Sequence, residues 1–167
     1  MPRKTTRNKA LGSSAPILRL AREDDLEELL RLEQESFVDY YAPHRFDRSD
    51  FYFNLQRPNG IFWVAAKRRG LAGYIDGVVI ERKGQKRADL LSIAVEEEAR
   101  GKGLGGKLMQ RFLDEAKQRG CASAVLEVAK ENSVGQHLFK KLGFKRSRSL
   151  PDYYGGDHDG IRMSRLI

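Results

Sequence analysis

Apolar residues recur along this chain in two rhythms and several continuous runs, and each predicts an element. Ile17 to Leu20 is a short apolar run suited to a first strand. Leu26, Leu29, Leu30, Leu32 and Phe37 recur near helical spacing behind the acids Glu23, Asp24 and Asp25, which a helix dipole favours. They predict a helix through about Ser36. Pro58-Asn59-Gly60 marks a turn, after which Ile61 to Ala66 reads as a strand, Lys67 to Gly70 as a tight connection and Leu71 to Ile80 as its antiparallel partner. A polar interval from Glu81 to Arg87 leads to a further strand, Ala88 to Val95. Gly73 and Gly77 mark irregularities in the third strand or relieve crowding there.

Downstream, Leu104, Leu108, Phe112 and Ala116 form an i, i+4 series that Met109 and Leu113 broaden and Gly120 closes, an amphipathic helix. Cys121 to Ala129 is almost wholly apolar and predicts a strand covered on both faces. Strand, helix, strand in succession requires a crossover, so residues 90–95 and 124–129 are expected to be parallel neighbours. Asn132 is placed to cap a helix from Ser133 to Leu142, Gly143 ends it, and Phe144 starts another strand. A polar, glycine-rich hairpin from Asp152 to Gly160 precedes a closing strand, Ile161 to Ile167. The segment Val38 to Phe53 follows no long period. Its rings (Tyr40, Tyr41, Phe46, Phe51, Tyr52, Phe53) suit either a loop or short helix lining a groove or plain core anchoring.

At 167 residues, 40% hydrophobic and 32% charged, the chain suits one well-buried domain, expected over residues 16–167, and contains nothing of membrane-span length. The formal charge is +8, to which Arg3, Lys4, Arg7 and Lys9 contribute within a segment, 1–15, that reads as a flexible basic leader. No signal-type apolar run opens the chain and Cys121 is its one cysteine, so a reducing, cytoplasmic location is the expectation. No metal site is expected: Asp157-His158-Asp159 reads as a polar turn, and Cys121 as a small buried hydrophobe.

The chemistry concentrates in LLSIAVEEEARGKGLGG, from Leu90 to Gly106. A strand there runs through an acidic turn into Arg100-Gly101-Lys102-Gly103-Leu104-Gly105-Gly106, which opens a helix. Glycines admit close approach and positive φ. The first helical turn offers unpaired N–H groups at the positive end of a dipole, and two cations stand beside it. Together these make a phosphate seat.

With Ser92-Ile93-Ala94-Val95 before it, and with Leu126-Glu127-Val128, Asn132 and Leu138-Phe139-Lys140-Lys141-Leu142-Gly143-Phe144 after it, this segment resembles the GNAT acetyltransferase superfamily from Ile17 to Ile167. The resemblance implies an α/β fold, a mostly antiparallel sheet of about seven strands with about four helices and two splayed parallel central strands. Acetyl-coenzyme A would lie in the gap. Ile93, Ala94 and Val95 would hold the cofactor's arm, Arg100 to Gly106 its diphosphate, and Asn132 and Phe139 would complete its seat. A Rossmann-type dinucleotide site fits poorly, because the glycine loop comes late and the expected acid is not evident. Leu126-Glu127-Val128, the Lys-Lys-Leu-Gly-Phe segment and the Tyr153-Tyr154 pair before an acidic hairpin resemble the branch that acetylates protein N-termini, ribosomal-protein alanine enzymes included.

Acetyl transfer to nitrogen needs a neutral amine. At pH 7 that costs about 1 kcal/mol for an α-amine and roughly 4.6 kcal/mol for lysine, so a modest base suffices for the former. Glu127, the one charged residue between Cys121 and Ala129, is the candidate base, acting through a water with its pKa raised by burial, or else it orients substrate or pairs with a cation. The N–H of Val95 is the candidate electrophilic aid. Phe139 stands where the family's usual tyrosine acid is found and cannot donate a proton, which leaves Tyr153, Tyr154 or no dedicated acid. Glu33, Tyr40, Tyr41, Glu127, Tyr153 and Tyr154 are the expected substrate groove. The expected substrate is a protein or peptide N-terminus, a ribosomal protein among the candidates, with a lysine or small amine, or a noncatalytic acyl-coenzyme A binder, as alternatives. No specific nucleic acid is expected as a partner, and the chain is expected to be a monomer or homodimer.

Overall fold

The computed structural model describes residues 14–167, so most of the basic leader expected over 1–15 lies outside the described residues. Among those residues are four α-helices, three short 3-10 turns and seven strands. The strands are β1 (Ile17–Leu20), β2 (Gly60–Ala66), β3 (Leu71–Arg82), β4 (Gln85–Val95), β5 (Cys121–Ala129), β6 (Lys145–Leu150) and β7 (Gly160–Leu166). The helices are α1 (Leu26–Ser36), α2 (Arg48–Gln56), α3 (Leu104–Gln118) and α4 (Ser133–Lys141). One sheet runs in the order β1-β2-β3-β4-β5-β7-β6, and its β4–β5 pair alone is parallel. The crossover through α3 enforces that, but the paired residues are Lys86 to Asp89 with Cys121 to Val125, earlier on β4 than the expected 90–95. No helix is long and apolar enough to cross a membrane among the described residues.

The i, i+4 stripe of α3 explains one half of the core. Leu108, Met109, Phe112 and Ala116 are fully buried against Ile61, Ile75, Ala88 and Leu126 on one face of the sheet. On the opposite face α1 and α2 bring Leu29, Leu32 and Phe51 onto Phe62, Val64 and Tyr74. Each fully buried side chain of this size contributes about 1.5–3 kcal/mol.

One expected boundary needs correction. The strands run on through the polar interval 81–87: Lys83 and Gly84 both take positive φ, 50° and 75°, so a two-residue turn lets polar residues continue the ladder as far as Arg82–Gln85. The irregular segment after Val38 holds a 3-10 turn, Asp39–His44, and then a full α2. Its start is fixed by Asp47, whose carboxylate accepts from Asp50 N–H at 2.9 Å while Asp50 caps in return. β5 is covered on both faces over most of its length, as expected: the successive residues Ala124, Val125 and Leu126, and Val128 and Ala129, are all buried, while Ala122 at its start is exposed and Glu127 partly buried.

The feature that shapes the site lies between β3 and β4. Asp76 faces Ser92, yet its neighbour Gly77 faces Leu90, so Leu91 is an extra residue in β4. Such a bulge bends its strand. The parallel pairing of β4 with β5 stops at Asp89–Val125, just before this bend, and the two strands part. Gly77 is required there: a Cβ would overlap the Phe112 ring and lie 2.7 Å from the Asp89 carbonyl oxygen.

Candidate active site

Where β4 and β5 separate, a cleft of about 960 Å³ opens. One wall is the end of β4 and the following loop, Leu90 to Val95 and Arg100 to Gly106, with Lys102 excepted. The other is Glu127 and Val128 of β5 with Asn132, Leu138 and Phe139 of α4. Across its mouth stand Phe37, Tyr41, His44, Tyr153 and Tyr154.

The glycine loop has the form that a phosphate seat requires. Gly101 and Gly103 take φ of 70° and 82°, and an added Cβ on either, or on Gly106, would meet nothing within 4 Å. Space is therefore held open beside the backbone. No side chain caps α3, and first-turn N–H groups such as those of Gly105 and Gly106 have no intrahelical acceptor. Arg100 stands at the cleft edge, its Nε donating to the Val95 carbonyl at 2.8 Å. Lys102 turns away: its Nζ donates to the Glu98 carbonyl at 2.8 Å, because the chain bends back over the 3-10 turn Glu97–Ala99.

Val95 completes that wall. The Glu96 N–H donates to the Ala72 carbonyl at 2.9 Å, which makes Ala72 and Glu96 a hydrogen-bonded pair. Antiparallel pairs alternate, so Gly73 and Val95 form a non-hydrogen-bonded pair and the Val95 N–H points from β3 into the gap. A Cβ on Gly73 would lie 2.7 Å from the Ala94 carbonyl oxygen, consistent with that close pairing.

On β5, Glu127 stands opposite Arg162 of β7 and accepts a hydrogen bond from its Nε at 2.8 Å. Of the readings open in the sequence, pairing with a cation is what the geometry has. Asn132 is the N-cap of α4, its Oδ1 accepting from Gly135 N–H at 2.9 Å. Phe139 is nearly buried, edge-on to Phe144, and closes the cleft floor.

The tyrosines divide. Tyr41 reaches across the gap, its hydroxyl accepting the Ala129 N–H at 3.0 Å. Tyr154 packs edge-on to Tyr41, and its carbonyl accepts from His44 Nε2 at 2.8 Å, which places the proton on that nitrogen. Burial raises the pKa of both Tyr153 and Tyr154 above that of an ordinary phenol, so each is a neutral hydroxyl donor. Tyr40 does not line the cleft; it stacks on His158, and its pKa is pushed up to about 12, by burial first and then by Tyr41. Glu33 lines the inner part of the cleft, as expected of a groove residue. It is 3% exposed, and each carboxylate oxygen already accepts one hydrogen bond, from the Phe46 N–H at 2.9 Å and from the Tyr74 hydroxyl.

Sequence reading missed Arg162, Tyr74 and Ser92. Pairing of Glu127 with Arg162 depends on a strand register 35 positions apart and leaves no local signal. Ser36 was missed too: its Oγ, in the cleft wall, is buried without a partner among the described residues. Those residues hold no cluster of three metal-ligand side chains.

Fold and cleft define the class, a mixed α/β domain with a long cleft between two parting strands. The chain belongs to the acetyltransferase (GNAT) family, whose sequence profile matches residues 26–144. It is accordingly an acetyl-coenzyme A-dependent N-acetyltransferase. Among its relatives is N-alpha-acetyltransferase 30 of Schizosaccharomyces pombe, 28% identical over 137 residues that cover 82% of this chain and 89% of that protein. An N-alpha-acetyltransferase of Sulfurisphaera tokodaii is 30% identical over 156 residues, 88% of this chain and 90% of that one. The crystal structure of the Escherichia coli ribosomal-protein-S18-alanine N-acetyltransferase superposes with a TM-score of 0.78 at 25% identity, covering 90% of this chain and 93% of that one.

Proposed function

We propose that residues 16–167 form one catalytic domain that acetylates the α-amine of a protein or peptide in the cytoplasm. The observation that carries this reading is the cleft itself. It has a phosphate seat at one end, a free backbone donor at its middle, and a carboxylate facing an aromatic mouth that admits an extended chain end. The names of the Schizosaccharomyces and Sulfurisphaera relatives support the α-amine, and that of the Escherichia coli enzyme adds a ribosomal protein to the candidate substrates.

In this reading the N–H groups from Gly101 to Gly106 hold the diphosphate of acetyl-coenzyme A, with Arg100 beside them. Backbone groups from Ile93 to Val95 hold its arm, and Asn132 and Phe139 bound the seat from α4. When bound, the cofactor supplies an acetyl thioester, an electrophile with a good leaving group. Val95 offers its N–H where negative charge develops on the acyl oxygen. Glu127, oriented by Arg162, takes through a water the proton that the nitrogen sheds as it bonds to the acyl carbon. With Phe139 unable to donate, Tyr153 and Tyr154 are the hydroxyls at hand on the departing side. Tyr41, Tyr153 and Tyr154 frame the peptide.

The test is a panel of peptides with free or blocked N-termini, incubated with acetyl-coenzyme A and mapped by mass spectrometry. Acetyl on the α-nitrogen is the expected result. Acetyl confined to lysine side chains, or cofactor binding without transfer, would overturn the proposal.

A further inference from the structure

Behind the β4 wall lies a chain of hydrogen bonds that the mechanism above does not use. Ser92, on the rim of the cleft, has its Oγ 2.8 Å from the hydroxyl oxygen of Tyr74. Tyr74 is fully buried and donates to a Glu33 carboxylate oxygen. A phenol has a single proton to give. With that proton on Glu33, the Ser92 hydroxyl must donate to Tyr74, which leaves the Ser92 oxygen as an acceptor at the cleft. The three groups come from β4, β3 and α1, so the chain links three elements through the buried Tyr74, and Glu33 at its far end also borders the cleft.

We propose that Ser92, Tyr74 and Glu33 form a proton relay that drains the attacking amine on the side of the gap opposite Glu127. This rests on the acetyl-transfer reading of the cleft and deepens it. Ser92 is the group that touches the amine; Tyr74 and Glu33 are positioning residues acting through it. The step balances without a co-reactant. The ammonium N–H bond breaks as a Ser92 O–H bond forms; the original Ser92 proton passes to Tyr74, and the Tyr74 proton to Glu33. Glu33 ends neutral and the amine ends with its lone pair free. After transfer the proton returns to solvent along the same path.

The surroundings of Glu33 suit a proton acceptor. Its pKa is raised above the ordinary carboxylate range, by burial first. The charged and titratable groups that act on it are Tyr74 and Asp76 from β3, and Arg45 and Asp50 from the segment around the start of α2. The Phe46 N–H holds its second oxygen in place at 2.9 Å. A general base works best when its pKa lies near the working pH, so burial brings Glu33 closer to that condition.

The experiment compares pH profiles of kcat and kcat/KM for wild type, Ser92→Ala, Ser92→Thr and Tyr74→Phe, with acetyl-coenzyme A affinity measured separately. Both an α-amine and a lysine peptide are supplied. Which amine is modified tests the proposed function, and the relay is tested on whichever amine the wild type turns over. Ser92→Ala and Tyr74→Phe are expected to lower kcat by about 10- to 100-fold. They should also move the acid limb of the profile upward in pH while cofactor affinity stays unchanged. Ser92→Thr, which restores the hydroxyl, should recover both. If Tyr74→Phe fails to fold, the two Ser92 variants decide. The relay is overturned if Ser92→Ala keeps the wild-type rate, or if it slows the reaction with no change in the pH profile.

Discussion

Glu127 on β5 and Arg162 on β7 are register partners joined by a 2.8 Å hydrogen bond at the point where the cleft meets its aromatic mouth. The pair is partly exposed, so its energetic contribution to the fold is small, and its value is directional. It leaves the second carboxylate oxygen, Oε2, available to a water. Glu127→Gln keeps the shape and removes the base. It is expected to lower kcat about 100-fold with acetyl-coenzyme A affinity unchanged, in steady-state assays paired with calorimetric binding. An unchanged rate across the pH range would remove Glu127 from the chemistry.

Gly77 is a structural keystone of the cleft rather than a part of it. Its hydrogen is all that fits between the Phe112 ring and the Asp89 carbonyl at the bulge that turns β4 away from β5. Gly77→Ala is expected to destabilise the protein by about 2 kcal/mol, read as a lower urea midpoint. Cofactor affinity should fall as well, because relief of the overlap shifts the bulge that sets the gap.

Asp76 predicts the pH dependence of stability. It is buried under α2, accepts from Asn54 Nδ2 at 2.5 Å, and burial pushes its pKa from the usual carboxylate range up to about 7. The folded state therefore binds a proton that the unfolded chain has released between about pH 4 and pH 7. Stability from this group is full below that window and is lost as pH rises through it. The ceiling is about 4 kcal/mol, since each pKa unit is worth about 1.4 kcal/mol. Asp76→Asn keeps an acceptor for Asn54 and cannot ionise. Its melting temperature should exceed that of wild type at pH 8, with the gap closing toward pH 5, in thermal scans across that range.

Much of this was legible in the sequence because local signals agreed with the global fold. The α3 stripe, the apolar run of β5 and the glycine loop each carried a periodicity or a backbone requirement of its own. α2 escaped because only Phe51 and Asn54 of its nine residues are buried, too narrow a stripe to show a period. Its capping signal, Asp47 with Asp50, was nevertheless present. The polar ends of β3 and β4 escaped because they extend into solvent, where pairing rather than burial sustains them. At the site, the glycines and Glu127 were readable as residue types. The Arg162 partnership and the burial of Glu33 were not, because each depends on a register or crossing between distant elements.

The central claim is that acetyl-coenzyme A lies in the gap opened by the Leu91 bulge. The most direct measurement is a crystal structure of the protein with coenzyme A bound. It should show the diphosphate accepting hydrogen bonds from N–H groups between Gly101 and Gly106, and the arm threaded between β4 and β5 beyond Asp89 and Val125. Coenzyme A bound elsewhere, with those two strands paired to their ends, would contradict it.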